Sequence, residues 1–411
     1  MVPLNPFVLA RGAMPFDASF FCDARFQHDK KAVALSGGPD SLLLAFLMHK
    51  VFGPSHKLCA VTVDHALRPA AADEAKHVSQ TLATWRLAHH TLKLCNPKPT
   101  QEALRSARYD CLIRFCHQHQ IKHLFVAHHQ DDQLETLCMR LQKGPCSLLG
   151  LGAAQPTYYH HGLLIHRPFL RLTRAQIMHM ATACALPFIK DPSNHNRRFE
   201  RVRMRQALQT LAADQKAFWY KQSASLMGQK KELLQKACEL LPRLIQHRTA
   251  CTASLDAALF AAQAPLMQHV VIKMLRDLLG GPRLRPLSVT QLAKALETLN
   301  AQRSATLGGC MLRLQKKRQN LLVTREWQRV QPILLDRRHA QGFLWDGRFW
   351  LQPNEEWLCG NTILGPLGGT NPERAALPGL IRPGLPQVSV MEETSAAFGH
   401  ARWVHDTLPA F

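Results

Sequence analysis

A chain of 411 residues, 46% of them hydrophobic, has room for two or three domains with separate cores. No uncharged apolar run approaches the ~20 residues of a membrane span, and the start lacks the pattern of a secretory leader, so a soluble cytoplasmic protein is expected. The formal charge of +22 is more than solubility requires and points to a polyanionic partner, nucleic acid before membrane, because no basic amphipathic helix or lipidation motif accompanies it. The 12 cysteines include no CxxC pair, which argues against zinc and iron–sulfur signatures and for reduced, structural thiols.

Residues 1–29 carry Pro3, Pro6 and Pro15 and read as an irregular lead-in. The stretch KAVALSGGPDSLLLAFLM, 31–48, then reads as strand, turn and helix: Ala32 to Leu35 is a short buried strand, and Leu42, Leu43, Phe46 and Leu47 recur on one helical face. Between them lies SGGPDS. Gly37 and Gly38 let the backbone approach a ligand, and the following helix points unpaired N–H groups at it, so an anion is expected. The hydroxyls of Ser36 and Ser41 add donors for phosphate, and Asp40 beside an anion implies a magnesium ion between them. An ordinary turn with a Ser or Asp helix cap would use the same residues.

Further along, Leu58–His65 is a second buried strand, 71–87 a helix, His90–Leu94 a weak third strand, Thr100–His119 a capped helix and Ile121–His129 a fourth strand. A fifth strand near Leu163–Pro168 completes an alternation that predicts an α/β fold with a doubly wound, five-stranded parallel sheet. On a helix starting near Asp131, Asp132 and Glu135 share one face, where they would hold magnesium or a substrate amine; acids in a first turn also serve as plain caps. His128 and His129 beside them fit hydrogen-bond networks better than a metal. Arg197, Arg198, Arg201, Arg203 and Arg205 then surround a helix start and look like a phosphate clamp.

The SGGPDS turn resembles the SGGxDS signature of the PP-loop, or N-type, ATP pyrophosphatases. With VDHALR at 63–68, EALRSARYD at 102–110, AHHQDDQLET at 127–136, and DPSN and RVRMR within 191–205, the chain resembles the bacterial tRNA(Ile)-lysidine synthase family. The resemblance implies strand order 3-2-1-4-5 and a two-step reaction. ATP adenylates C2 of the wobble cytidine in the CAU anticodon of tRNA(Ile), then free L-lysine displaces AMP to give lysidine. It implies ATP contacts from Ser36, Gly37, Gly38, Pro39, Asp40 and Ser41, magnesium (Mg2+) at Asp40, and Val63 and Asp64 on the adenine or ribose side. Arg105 and Arg205 would neutralise the α-phosphate, while Asp132 and Glu135 would position the lysine amine.

Residues 30–212 are thus expected to be the catalytic domain, 213–300 a helical linker domain and 301–411 a small α+β tRNA-recognition region. In the linker, Lys216–Thr249, Leu255–Leu279 and Val289–Leu299 read as helical. Ala305–Glu326 reads as a hairpin bearing Arg313, Lys316, Lys317, Arg318 and Arg325, basic side chains suited to RNA backbone or to a solvated turn. Phe343–Gln352 suggests a strand pair, and the proline-rich tail from Gly365 a loose structure. A homodimer stays open. The alternatives are a PP-loop tRNA thiolase, many of which carry the paired cysteines missing here, and a non-catalytic RNA-binding protein.

Overall fold

The computed structural model describes residues 20–21, 23, 25–53, 57–64, 78–94, 101–142, 148–151, 154–160, 162–188, 200–248, 252–279, 288–302, 304–315, 319–326, 330, 333–336, 340, 343–345, 349–351, 359–366, 386–390, 394–396 and 401–403. The chain forms two compact units, one of residues 1–145 and 151–228, the other of 146–150 and 229–411.

In the first unit, strands β1 (Lys31–Leu35), β2 (Leu58–Asp64), β3 (Ala88–Lys93), β4 (His123–Phe125), β5 (Thr157–His160) and β6 (Leu163–His166) form one sheet in the order β3-β2-β1-β4-β6-β5. All neighbours pair in parallel except β5, which runs antiparallel to β6. The five expected parallel strands are present in the expected order, with β6 as the fifth. The edge strand β5 was not foreseen, because Thr157-Tyr-Tyr-His lacks the apolar run that marks a buried strand. A buried chain of side chains ties it to the sheet: Thr157 Oγ1 lies 3.0 Å from His166 Nδ1, His166 Nε2 lies 3.0 Å from His123 Nδ1, and His123 Nε2 lies 3.3 Å from Asp29.

Helix α1 (Pro39–Phe52) buries Ser41–Ala45, Leu47 and Met48, more than one face, because the β-sheet residues and α4 both contribute to the cluster around it. Helices α2 (Gln101–Gln118), α3 (Gln130–Gln142), α4 (Arg174–Ala183), α5 (Glu200–Gln209) and α6 (Ala213–Leu244) follow. Helix α4 is capped by Thr173 in a complete capping box with Gln176. The helix expected over 71–87 is described over 78–84 and stops before Arg86, whose φ of 55° turns the chain into β3. Strand β4 is shorter than expected; beyond Val126, whose N–H still donates to His166 O, the chain leaves the ladder, with Gln130 N–H donating to Leu172 O, which leaves His128 and His129 in a loop before α3.

In the second unit, β7 (Ile245–Arg248), β8 (Thr252–Asp256), β9 (Ser304–Leu307), β10 (Cys310–Gln315) and β11 (Asn320–Arg325) form an antiparallel sheet in the order β7-β8-β11-β10-β9. Here the helical reading of Leu255–Leu279 needs correction at its start. Leu255 pairs with Leu321 in the sheet, and Asp256 caps a new short helix, Ala257–Ala261, by accepting from Leu259 N–H at 2.8 Å. Helices α7 (Pro265–Leu279) and α8 (Val289–Gln302) join the last turns of α6 and this sheet in one apolar core with Leu241, Leu244, Val271 and Leu275.

The expected hairpin over Ala305–Glu326 is present as β10 and β11, extended by β9. Its tip, with Lys316, Lys317 and Arg318, lies outside the described residues. Strands β12 (Ile333–Asp336), β13 (Phe343–Trp345), β14 (Phe349–Leu351), β15 (Cys359–Pro366), β16 (Pro386–Val390), β17 (Thr394–Ala396) and β18 (Ala401–Trp403) form two smaller antiparallel sheets, β12-β15-β16-β17 and β13-β14-β18. The tail is therefore not loose throughout. Pro366 and Pro386 face each other at the end of the β15–β16 ladder, where a missing N–H costs least.

Candidate active site

The SGGPDS turn closes on itself. Ser36 N–H donates to Ser41 Oγ at 3.0 Å, Ser41 Oγ donates to Gly38 O at 3.2 Å, and the two serine hydroxyls lie 3.0 Å apart. Gly37 takes a φ of 76°, the left-handed region, whereas Gly38 is extended at φ −76° and ψ 167° as the N-cap of α1, with Pro39 in the first turn. Asp40 follows at the helix start. Its Oδ1 is buried without a hydrogen-bond partner, and burial raises its pKa against the positive charge of His129 and Arg174.

Asp40 is one wall of a cavity at the carboxyl ends of β1, β2 and β4, where the winding of the sheet reverses. Ser36, Ser41, Val61, Val63, Arg108, Tyr109, His128 and Asp132 line the rest. Val63 is thus among the residues that line the cavity. Asp64 is not among the lining residues, and its carbonyl accepts from Leu94 N–H.

The acid pair on α3 is less open than its spacing suggests. Glu135 is 1% exposed and accepts from Arg201 Nε and Arg205 Nε, each at 2.6 Å. These arginines are four apart on α5, so both guanidiniums fall on the face turned to α3. Asp132 takes Arg201 Nη2 at 3.0 Å on one oxygen and caps α3 through His129 N–H at 3.0 Å on the other. Burial would raise its pKa, but His129, Arg201 and that backbone donor take it down to about 2. Asp131 accepts from Arg174 N–H of α4 at 2.7 Å and from the Tyr220 hydroxyl of α6 at 2.9 Å. A second crevice lies on this side, lined by Asp131, Glu135, Arg174, Arg205, Lys216 and Tyr220 among others.

Three consequences follow for the residues singled out by sequence. Arg205 is engaged by Glu135, and a free phosphate clamp is not what the described part of the arginine run forms; Arg197 and Arg198 lie outside the described residues. Arg105 is exposed on α2 with its guanidinium 5.1 Å from the Tyr109 ring centre, while Arg108, one turn on, lines the cavity. In the second unit Arg325 is no surface contact, since it is 6% exposed and donates to Gly309 O at 2.8 Å, whereas Arg313 is exposed.

Sequence reasoning gave no role to Arg108, Tyr109 or Tyr220, and to His128 only a place in a hydrogen-bond network. The i, i+3 spacing of Arg105 and Arg108 on a predicted helix was the available clue. Burial and the Arg167, Arg105 and Arg108 guanidiniums push His128 well below the ordinary histidine range, which keeps a neutral ring at the cavity. No group of three His, Cys, Asp or Glu side chains able to hold a metal occurs among the described residues. The orphaned Asp40 oxygen fits magnesium that arrives with a nucleotide better than a resident ion.

Sheet order, turn and reversal-point cavity together define a PP-loop nucleotide-binding domain, and the model of that domain family matches residues 16–212. The tRNA(Ile)-lysidine synthase of Ruegeria pomeroyi is 32% identical over 325 residues, 78% of this chain and 76% of that protein. The synthase of a Bradyrhizobium species is 40% identical over 190 residues, 44% of this chain and 52% of its own. The chain belongs to the tRNA(Ile)-lysidine synthase family, ligases that form a carbon–nitrogen bond. Among solved structures, the U34-tRNA thiolase NcsA from Methanococcus maripaludis, with its [4Fe-4S] cluster, is similar at a TM-score of 0.41 and 16% identity, covering 49% of this chain and 72% of that one. Among the described residues no helix is long and apolar enough to cross a membrane.

Proposed function

We propose that the protein ligates free L-lysine to C2 of the wobble cytidine in the CAU anticodon of tRNA(Ile), through an adenylated cytidine and with release of diphosphate and AMP. The observation that carries this reading is the Asp40 carboxylate of a phosphate-type turn, one oxygen of which is buried without a hydrogen-bond partner, sharing one cavity with Arg108, His128 and Asp132. A buried carboxylate oxygen left without a hydrogen bond is costly unless a ligand supplies the partner.

In this reading Val61 and Val63 lie under the adenine, and the N–H groups of the turn and of α1 take the phosphates. Asp40 would hold magnesium, which would neutralise phosphate charge. Arg108, which lines the cavity, meets the charge that develops on the α-phosphate, whereas Arg105 is not among the lining residues. The lysine ammonium approaches Asp132 from the second crevice, where Asp131, Arg174 and Lys216 suit the two charges of an amino-acid backbone. Glu135 acts through Arg201 and Arg205 and holds that wall in place. Because amine attack needs a free lone pair, the ammonium must lose a proton, and Asp132 or the neutral His128 ring is placed to accept it.

The domain roles belong to the same proposal: catalysis for residues 30–212 and tRNA recognition for the second unit, supported by the exposed Arg313 on β10. A helical linker of 213–300 set apart from 301–411 does not stand, because β7 and β8 pair in one sheet with β9–β11 and share its core. Incubation with ATP, labelled lysine and purified tRNAs tests the whole. Lysine incorporation into tRNA(Ile) with anticodon CAU is expected. Diphosphate release that needs a sulfur donor would mean a thiolase, and RNA binding without diphosphate release a non-catalytic protein.

A further inference from the structure

Beside the nucleotide cavity stands a group of donors that the protein satisfies only in part. Arg167 follows β6, its guanidinium carbon 4.2 Å from the centre of the Tyr158 ring on β5, and its Nη1 donates to Gln155 O at 3.2 Å. Its Nε is buried without a partner, as is Nε2 of Gln155. The Tyr109 hydroxyl, in a side chain 8% exposed, lies close to that of Tyr158 without a hydrogen bond of normal geometry. Arg105 and Arg108 stand 5.1 and 5.8 Å from the Tyr109 ring. None of the three arginines has a carboxylate within salt-bridge distance among the described residues.

Like charges held together, over buried donors that want an acceptor, are stable only if an anion completes them. The balance is visible in Arg108, whose pKa falls because burial, Arg105 and Arg201 outweigh Tyr109 and Asp132. The anion is not the one bound at SGGPDS. Strand order places β6 and β5 on the far side of β4 from β1, so Arg167 and Tyr158 lie away from the turn and from the valine side of the cavity. Arg167, Tyr158 and Gln155 are also absent from the residues lining that cavity. A second polyanionic substrate whose reacting base enters from this side would place a backbone phosphate here.

We propose that Arg167, backed by Tyr158 and joined by Arg105, Gln155 and the Tyr109 hydroxyl, binds one backbone phosphate of the RNA next to the nucleotide being modified. With Nη1 engaged by the Gln155 carbonyl, the Nε–Nη2 edge of the stacked Arg167 guanidinium is the one that can offer two parallel hydrogen bonds to phosphate oxygens, a geometry lysine does not have. The site rests on the proposed function for the identity of the RNA, but not for the binding itself.

The test measures binding without turnover. For Arg167→Gln and, separately, the exposed Arg105→Gln, affinities for tRNA(Ile) and for ATP are measured over a range of salt, with far-UV circular dichroism to confirm folding. Each variant should bind tRNA about 10-fold more weakly, with the log–log salt slope flattened by roughly 0.7 to 0.9, and bind ATP as the parent does. A tRNA carrying a single neutral methylphosphonate beside the wobble nucleotide should lose the same affinity with the parent protein and nothing more with Arg167→Gln. Equal loss of ATP binding would transfer the site to the nucleotide, and additive losses, or no loss in either variant, would overturn the proposal. Binding that behaves as expected while lysine is not incorporated would retain this site and reject the ligase reading.

Discussion

Asp40 and Glu135 are both carboxylates withdrawn from water within the first unit, and their surroundings differ completely. Glu135 is met by two guanidiniums at 2.6 Å, so its charge is answered inside the protein. Asp40 keeps an oxygen with no partner, and burial raises its pKa. A buried charge that the fold satisfies belongs to the architecture, whereas one that it leaves unsatisfied waits for a ligand. Sequence alone gave both a ligand, magnesium for Asp40 in its turn and magnesium or a substrate amine for Glu135 on its helix face.

The widest separation between them is in catalysis. Asp40→Ala should lower lysine incorporation by roughly 100-fold or more while tRNA binding persists, since only the phosphate turn loses a charge. Near-normal turnover would remove magnesium from Asp40. Glu135→Ala should instead act on the fold: stripping the shared partner from Arg201 and Arg205 is expected to destabilise by about 3–5 kcal/mol in urea unfolding. If it unfolds like the parent, the clamp is not structural.

Acid titration sharpens the contrast. Asp132, lowered from 3.8 to about 2 in the folded state, contributes stability present above pH 4 and lost as pH falls from about 4 to 2. At 1.36 kcal/mol per pKa unit this is about 2 kcal/mol, and Asp132→Asn should abolish that part of the pH dependence. Asp40 has the opposite sign: its raised pKa makes folding less favourable as pH rises above 3.8, so Asp40→Asn should not destabilise at neutral pH. Calorimetry from pH 2 to 7 reads both, and parallel curves for the two variants would erase the distinction. In kinetics, Asp132→Asn should impair lysine use more than lysine-independent diphosphate release.

The smallest effects lie in the second unit, where two arginines of one hairpin repeat the comparison. Arg325→Ala removes the donor to Gly309 O and should cost about 1–3 kcal/mol in stability. Arg313→Ala should leave stability alone and flatten the salt dependence of tRNA binding by less than one unit. Reversed results would exchange the structural and RNA-facing roles.

Strands with dense apolar runs and the turn with paired glycines were legible because local chemistry dictates them. Leu255, Asp256 and Arg325 were not, since a strand entering a helix through an Asp cap has no periodicity of its own, and a buried arginine is spelled like an exposed one. The same holds for the acid pair. Helical spacing correctly put Asp132 and Glu135 on one face, but nothing in that spacing says that Arg201 and Arg205, some seventy residues later, close over it. Tyr158 escaped for a third reason, because β5 is short and polar and owes its place to the sheet edge, while Arg167 follows the foreseen β6 where no local pattern singles out one arginine.

Gly37 and Gly38 stand side by side for different reasons. The first needs its missing side chain for its own backbone, and Gly37→Ala should cost about 1–2 kcal/mol of stability for forcing the left-handed region. At Gly38 the fold itself would accept a methyl group: an added Cβ meets only Ser36 Oγ, at 3.6 Å, an ordinary contact. What that glycine preserves is a volume outside the protein. Gly38→Ala should therefore melt like the parent and bind ATP poorly, so that the imprint of an absent molecule is recorded in a residue the polypeptide could do without.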